Sequence, residues 1–254
     1  MTLRRLFRRF LPRRKHPLLD AEAMPAPRDA ELRDRYAAAV AGETDIFVTQ
    51  RFEEGLRWRE VARHFVHRDA QRVAASRTLD VGGGNGAIEL AFSGQPESFV
   101  VSVDALWNTT AASLGVRRIV ADAAALPFRP GVFHLVLCLE TIEHVPQPRT
   151  VAGEIARVAA ADAVVLVTTP ARWRYFLRPD PHFSIRSLTL LPPSLQRRVA
   201  TRHGFDEPHH YVDRIYGSVG QLRRVFRELA HESTLVRSRA PGRWFWDAIV
   251  FRKK

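Results

Sequence analysis

Between Leu79 and Phe92 the chain reads LDVGGGNGAIELAF, a short apolar run that breaks into glycines and resumes as a helix-compatible segment. Gly82, Gly84 and Gly86 stand at alternate positions, where missing side chains let a backbone turn sharply and approach a ligand closely. The pattern predicts a strand ending at Val81 and a helix starting near Ala87, with free N–H groups facing that ligand. Further on, short β-branched runs (TLDV, FVVSVD, RRIVAD, FHLVLCLE, AVVLVTTP) alternate with helical or turn segments. Apolar strands with few alternating polar positions are what a parallel sheet covered on both faces requires. TLVRSR and WFWDAIVF, separated by Pro241 and Gly242, predict a closing antiparallel pair. The expected class is α/β: a Rossmann-like, doubly wound, mostly parallel seven-stranded sheet with that pair at its end. Two helical patterns precede it, the second from about 46 to 68 with Phe52, Leu56, Val61, Phe65 and Val66 near helical spacing.

Asp104 ends the second predicted strand, 20 residues after Gly84. In an open α/β sheet both lie at the carboxyl ends of neighbouring strands, beside the crevice where ligands bind. A carboxylate there can accept both hydroxyl protons of a ribose. Gly82, Gly84 and Ala87 also satisfy the glycine fingerprint of dinucleotide enzymes, so this segment alone fits an NAD(P)-dependent oxidoreductase as well as other nucleotide-type cofactors.

Further segments separate the two. Asp80 precedes the glycines, Gly86 completes a GxGxG, ADAAALPF runs from Ala121 to Phe128, and the fourth strand leaves through LETIEHV, Leu139 to Val145. From about Thr78 to Thr169 the chain resembles the class I S-adenosylmethionine-dependent methyltransferases, in particular the branch of quinone-biosynthesis and related small-molecule enzymes. The resemblance implies S-adenosyl-L-methionine as cofactor. It places Gly82, Gly84 and Gly86 beneath the methionine and ribose, Asp80 facing the ammonium end and Asp104 on the ribose hydroxyls. It also places Asp122 and the Ala123 backbone at the adenine amino group, and Glu140 beside the methionine moiety and donor methyl. Asp122 as a helix cap and Glu140 as a solvated strand end are the plain structural alternatives. The implied reaction is methyl transfer to a small-molecule or lipid-linked acceptor.

Glu143, His144 and His182 are the candidate bases, the first two equally readable as structural residues after the fourth strand. No metal is expected, because the His209–His210 pair lacks a second cluster of ligands. Residues 170–216 carry six prolines and read as an insertion on the substrate side; Trp173, Tyr175, Phe176, Phe183 and Tyr211 would line an acceptor pocket or form the insertion's own core.

The net charge of +12 suggests nucleic acid, yet ten of those units lie in residues 1–19 and in Arg252, Lys253 and Lys254. The fourth strand also lacks the NPPY-like exit of base-amino methyltransferases, so a nucleic-acid substrate is not expected. Leu3, Leu6, Phe7, Phe10 and Leu11 form one stripe among the leader's arginines. That fits either a helix lying on an anionic membrane surface or a plain basic tail. Residues 16–30 read as a linker, so residues 1–30 form the leader and linker, and 31–254 the catalytic domain. A single cysteine, Cys138, excludes an intramolecular disulfide. With no apolar stretch long enough to span a bilayer, the expected location is cytoplasmic, with a peripheral seat at the inner face of a membrane. An S-adenosylmethionine-binding protein without turnover is the non-enzymatic alternative.

Overall fold

The computed structural model describes residues 28–66, 77–94, 98–175, 179, 183, 185–205, 216–230, 232–236 and 247–254. Strands β1 (Arg77–Val81), β2 (Phe99–Asp104), β3 (Arg118–Val120), β4 (Phe133–Leu139), β5 (Ala159–Thr168), β6 (Glu232–Val236) and β7 (Ala248–Arg252) form one sheet in the order β3-β2-β1-β4-β5-β7-β6. Pairing is parallel from β3 through β5, and β7 runs antiparallel to both β5 and β6. The expected Rossmann-like sheet is present. The strand order reverses between β1 and β4, which leaves a crevice at their carboxyl ends.

Eight helices accompany the sheet among the described residues: α1 (Asp29–Ala39), α2 (Ile46–Thr49), α3 (Arg51–Val66), α4 (Ala87–Phe92), α5 (Thr109–Ser113), α6 (Pro148–Val158), α7 (Pro193–Arg202) and α8 (Val219–Val225). β4 is buried on both faces, with alternate residues facing opposite helical layers. Val136 and Cys138 pack with Val151 and Ile155 of α6 and Leu222 of α8, whereas Leu135, Leu137 and Leu139 meet Trp58 and Val61 of α3 and Ile88 of α4. Cys138 is fully buried, and burial pushes its thiol pKa well up.

Several boundaries differ from expectation for local reasons. The single helix expected over about 46 to 68 is α2 and α3, interrupted at Gln50. β5 starts at Ala159, earlier than AVVLVTTP suggests. Its register against β4 jumps from Phe133↔Ala159 to Leu135↔Val164, and Asp162 takes up the extra length at φ 61°. α1 begins inside the expected linker because Asp29 is buried and paired. Arg59 of α3 donates to Asp29 Oδ1 at 2.7 Å and to Oδ2, and also to the Ala91 carbonyl at the end of α4. One guanidinium thus joins three helices.

Residues 183–205 hold a small core of their own, in which Phe183 meets Phe205 edge-on at 5.5 Å. Phe183 therefore serves the insertion's packing. A bridge between Ala171 and Tyr216 closes the insertion's base. The basic leader 1–19 lies outside the described residues, as do Phe176, His182, His209, His210 and Tyr211.

Arg59→Met should leave Asp29 buried without its counter-charge and cost about 3–5 kcal/mol of folding stability. Urea unfolding of the variant beside the parent chain measures this.

Candidate functional site

A cavity of about 650 Å³ opens at the carboxyl ends of the parallel strands. Its wall carries Gly82 and Gly84 from the loop after β1, Asp104 ending β2, Asp122 and Ala123 after β3, and Glu140 and His144 after β4. Four strand exits thus meet without long-range coincidence: parallel pairing sets Val81 beside Val103 and Asp104 beside Val120, so their exits share one edge.

The glycines are required by their surroundings. Gly82 has φ 83°, and a Cβ there would sit 2.3 Å from Thr141 Oγ1. Gly84 has φ 55°, and a Cβ there would meet nothing within 4 Å. The first glycine is forced by a neighbour, and the second leaves its backbone bare toward the cavity. Gly86, at φ 85°, packs against Ala111 and does not line the cavity. The expected free N–H at the helix start is partly used: Ala87 donates to Asn85 Oδ1 at 3.2 Å.

Asp104 is held from several sides. Gly84 N–H donates to Oδ2 at 2.9 Å, Leu106 N–H to Oδ1 at 3.0 Å, and Arg118 Nη2 lies 3.3 Å from Oδ2. A carboxylate offers about four acceptor sites, so Oδ1 keeps one for a ligand. Asp122 accepts from Ala124 N–H at 2.8 Å and so tightens its own turn while facing the cavity. Glu140 adopts φ 51°, fixed by its N–H donating to Thr168 Oγ1 at 2.9 Å and the Thr168 carbonyl at 3.2 Å. Its side chain is half-buried on the wall.

Two other candidates lie beneath the wall. Asp80 is buried under the glycine loop, where burial and then the nearby Glu89 charge raise its pKa well above the usual carboxylate range against the pull of Arg51. Glu89 is likewise buried and raised, chiefly by burial, with its Oε1 2.2 Å from where a Gly83 Cβ would stand. The neighbouring carboxyls favour a shared proton over two charges. Glu143 is fully buried, and burial followed by the Glu140 charge raises its carboxyl pKa well above the ordinary range. His144, by contrast, reaches the cavity. His182 lies outside the described residues.

Sequence reasoning passed over Arg118, Thr141, Glu89 and the exposed rim residue Trp107. The only available signals were an acidic residue inside the apolar AIELAF and the doubled arginine of RRIVAD. Adjacent positions entering a strand point to opposite sides. Arg117 stacks over Phe99 at 5.1 Å while Arg118 turns to the cavity.

Three wall carboxylates against one guanidinium make the cavity electronegative, which suits a cationic nucleoside better than a pyrophosphate. Residues 79–167 match the family model described as a methyltransferase domain. That segment is a methyltransferase domain. No curated protein matches the chain. Among solved structures, a protein of Galdieria sulphuraria, proposed as a sarcosine dimethylglycine methyltransferase, shares 14% identity at TM-score 0.51, covering 88% of this chain and 98% of its own. That likeness shows the fold. A SAM-dependent methyltransferase of Thermotoga maritima shares 18% over 81% of this chain and 99% of its own, at TM-score 0.49. Magnesium protoporphyrin IX methyltransferase of Synechocystis, with bound SAH, shares 13% over 89% and 96%, at TM-score 0.48.

Within the methyltransferase domain, the raised carboxyl pKa of Glu143 sets a pH signature. Its raised folded-state pKa makes its contribution to stability full below the unfolded value of about 4.3 and progressively lost as pH rises toward the folded value. Glu143→Gln should therefore gain stability over the parent chain from about pH 4.3 upward, up to about 1.4 kcal/mol per pH unit until the folded pKa is reached. Thermal melts across pH 4 to 9 read the difference.

Proposed function

We propose that the domain transfers a methyl group from S-adenosylmethionine to a small-molecule or lipid-linked acceptor by in-line displacement. The observation supporting the cofactor's placement is the convergence of Gly82, Gly84, Asp104, Asp122, Ala123 and Glu140 on one electronegative cavity. In this reading Gly84 presents bare backbone to the methionine and ribose, with Gly82 and Gly86 shaping the loop. Asp104 accepts from the ribose through Oδ1, and Asp122 with the Ala123 backbone receives the adenine amino group. Glu140 borders the methionine moiety and the donor methyl, and Asp80 faces the ammonium end from beneath the loop. When bound, the cofactor supplies the electrophilic methyl and its leaving group.

The chain's own task is then alignment, exclusion of water and, where the acceptor needs it, proton removal. Past Glu140 the cavity continues to His144, Pro146 and Gln147, which form the acceptor's approach. His144 is the group placed to take a proton there. Glu143, fully buried, acts as a support for the turn. His182 is a second substrate-facing candidate from the insertion. No described helix is long and apolar enough to cross a membrane, and a lipid-linked acceptor would be met through the cationic leader, residues 1–19, resting on an anionic membrane surface at the cytoplasmic side.

Calorimetric titration with S-adenosylhomocysteine tests the site. The parent chain should bind it saturably, and Asp104→Ala should lose about 1–3 kcal/mol of affinity. Saturable NADH binding without S-adenosylhomocysteine binding would support a dinucleotide oxidoreductase instead. For the leader, the full chain should sediment with vesicles containing anionic lipid and a chain lacking residues 1–19 should remain in the supernatant. Equal pelleting of both removes the membrane reading.

A further inference from the structure

We propose that Arg118 is a positioning residue of the cofactor site, which together with Asp104 latches the glycine loop to the exit of β2. The two side chains grip the same two residues with opposite polarity. Asp104 accepts from the N–H groups of Gly84 and Leu106, at 2.9 and 3.0 Å. Arg118 donates to the carbonyls of those residues, through Nη1 to Gly84 and through Nη2 to Leu106 at 2.9 Å. The circuit closes where Nη2 meets Asp104 Oδ2 at 3.3 Å. Four backbone groups from two loops are thereby satisfied by one ion pair, and both loops are walls of the cavity.

The geometry favours a role in binding over one in general stability. The Arg118 side chain is 5% exposed and its Nε is buried without a hydrogen-bond partner, an arrangement that costs folding free energy. Arg118 reaches Gly84, the glycine whose backbone faces open space, and fixes the direction of its peptide groups. A lysine has the charge but no planar fork, and its single nitrogen cannot serve two carbonyls on opposite sides of the loop junction in the same way. The arginine therefore preforms the ribose site, reducing the ordering that ligand binding would otherwise require. Loss of Arg118 need not strand a buried charge, because Asp104 opens onto the cavity.

This inference rests on the proposed cofactor placement, and a double-mutant cycle separates the two. S-adenosylhomocysteine is titrated into the full-length parent chain, Arg118→Met, Arg118→Lys, Asp104→Ala and the Asp104→Ala, Arg118→Met double variant, with thermal melts confirming that each is folded. Arg118→Met should weaken binding by about tenfold or more in the parent background and by about twofold or less once Asp104 is absent. Arg118→Lys should recover only part of the loss, and it carries the comparison alone if the methionine variant does not fold. Parent-like affinity in a folded Arg118→Met or, in that case, Arg118→Lys variant overturns the proposal. An equal penalty in both backgrounds does so too, since it would reveal a role independent of Asp104. Absence of binding by the parent chain instead overturns the cofactor placement, and the latch with it.

Discussion

Parallel pairing of β1 with both β2 and β4 is the constraint from which the site follows. Antiparallel neighbours would send successive strand exits to opposite edges of the sheet. Here Val81, Asp104, Val120 and Leu139 all finish at one edge, so each following loop adds a wall to the same cavity. The strands can afford few polar residues because helices cover both faces, with α3 and α4 on one and α6 and α8 on the other. Polar chemistry is consequently concentrated where the strands stop.

Beneath that edge the protein buries more carboxyl groups than it neutralises with cations. Asp80, Glu89 and Glu143 all lie within the apolar layers, and burial raises each. Burial disfavours charge on them, and it leaves the cavity wall of Asp104, Asp122 and Glu140 as the negative surface that a ligand meets. The contrast between Glu143 and His144 follows from the same division, since adjacent residues on a tight turn face inward and outward.

Much of this was legible in the sequence because it is local. LDVGGGNG announces a strand and a sharp turn, and FHLVLCLE announces a strand covered twice, whatever the rest of the chain does. The spacing from Gly84 to Asp104 anticipated their meeting, and Gly84 N–H does donate to that carboxylate. Arg118 was illegible for the complementary reason. In RRIVAD nothing local distinguishes the arginine that stacks on Phe99 from the one that turns inward, and only the register of β3 on β2 decides it. Arg59 and Asp29 escaped similarly, their partnership spanning 30 residues and two helices. For Phe183 composition allows either a pocket wall or the insertion's own core, and its packing against Phe205 decides for the core.

The burial of Cys138 in the middle of β4 has a practical corollary. The chain's single thiol is shut between two helical layers and is reluctant to ionise, so it is a poor nucleophile toward alkylating reagents. A cysteine introduced at the exposed rim, for instance in place of Trp107, would then be the one thiol that reacts in the folded protein. A fluorophore or spin label could be fixed beside the cavity mouth without first engineering the native residue away.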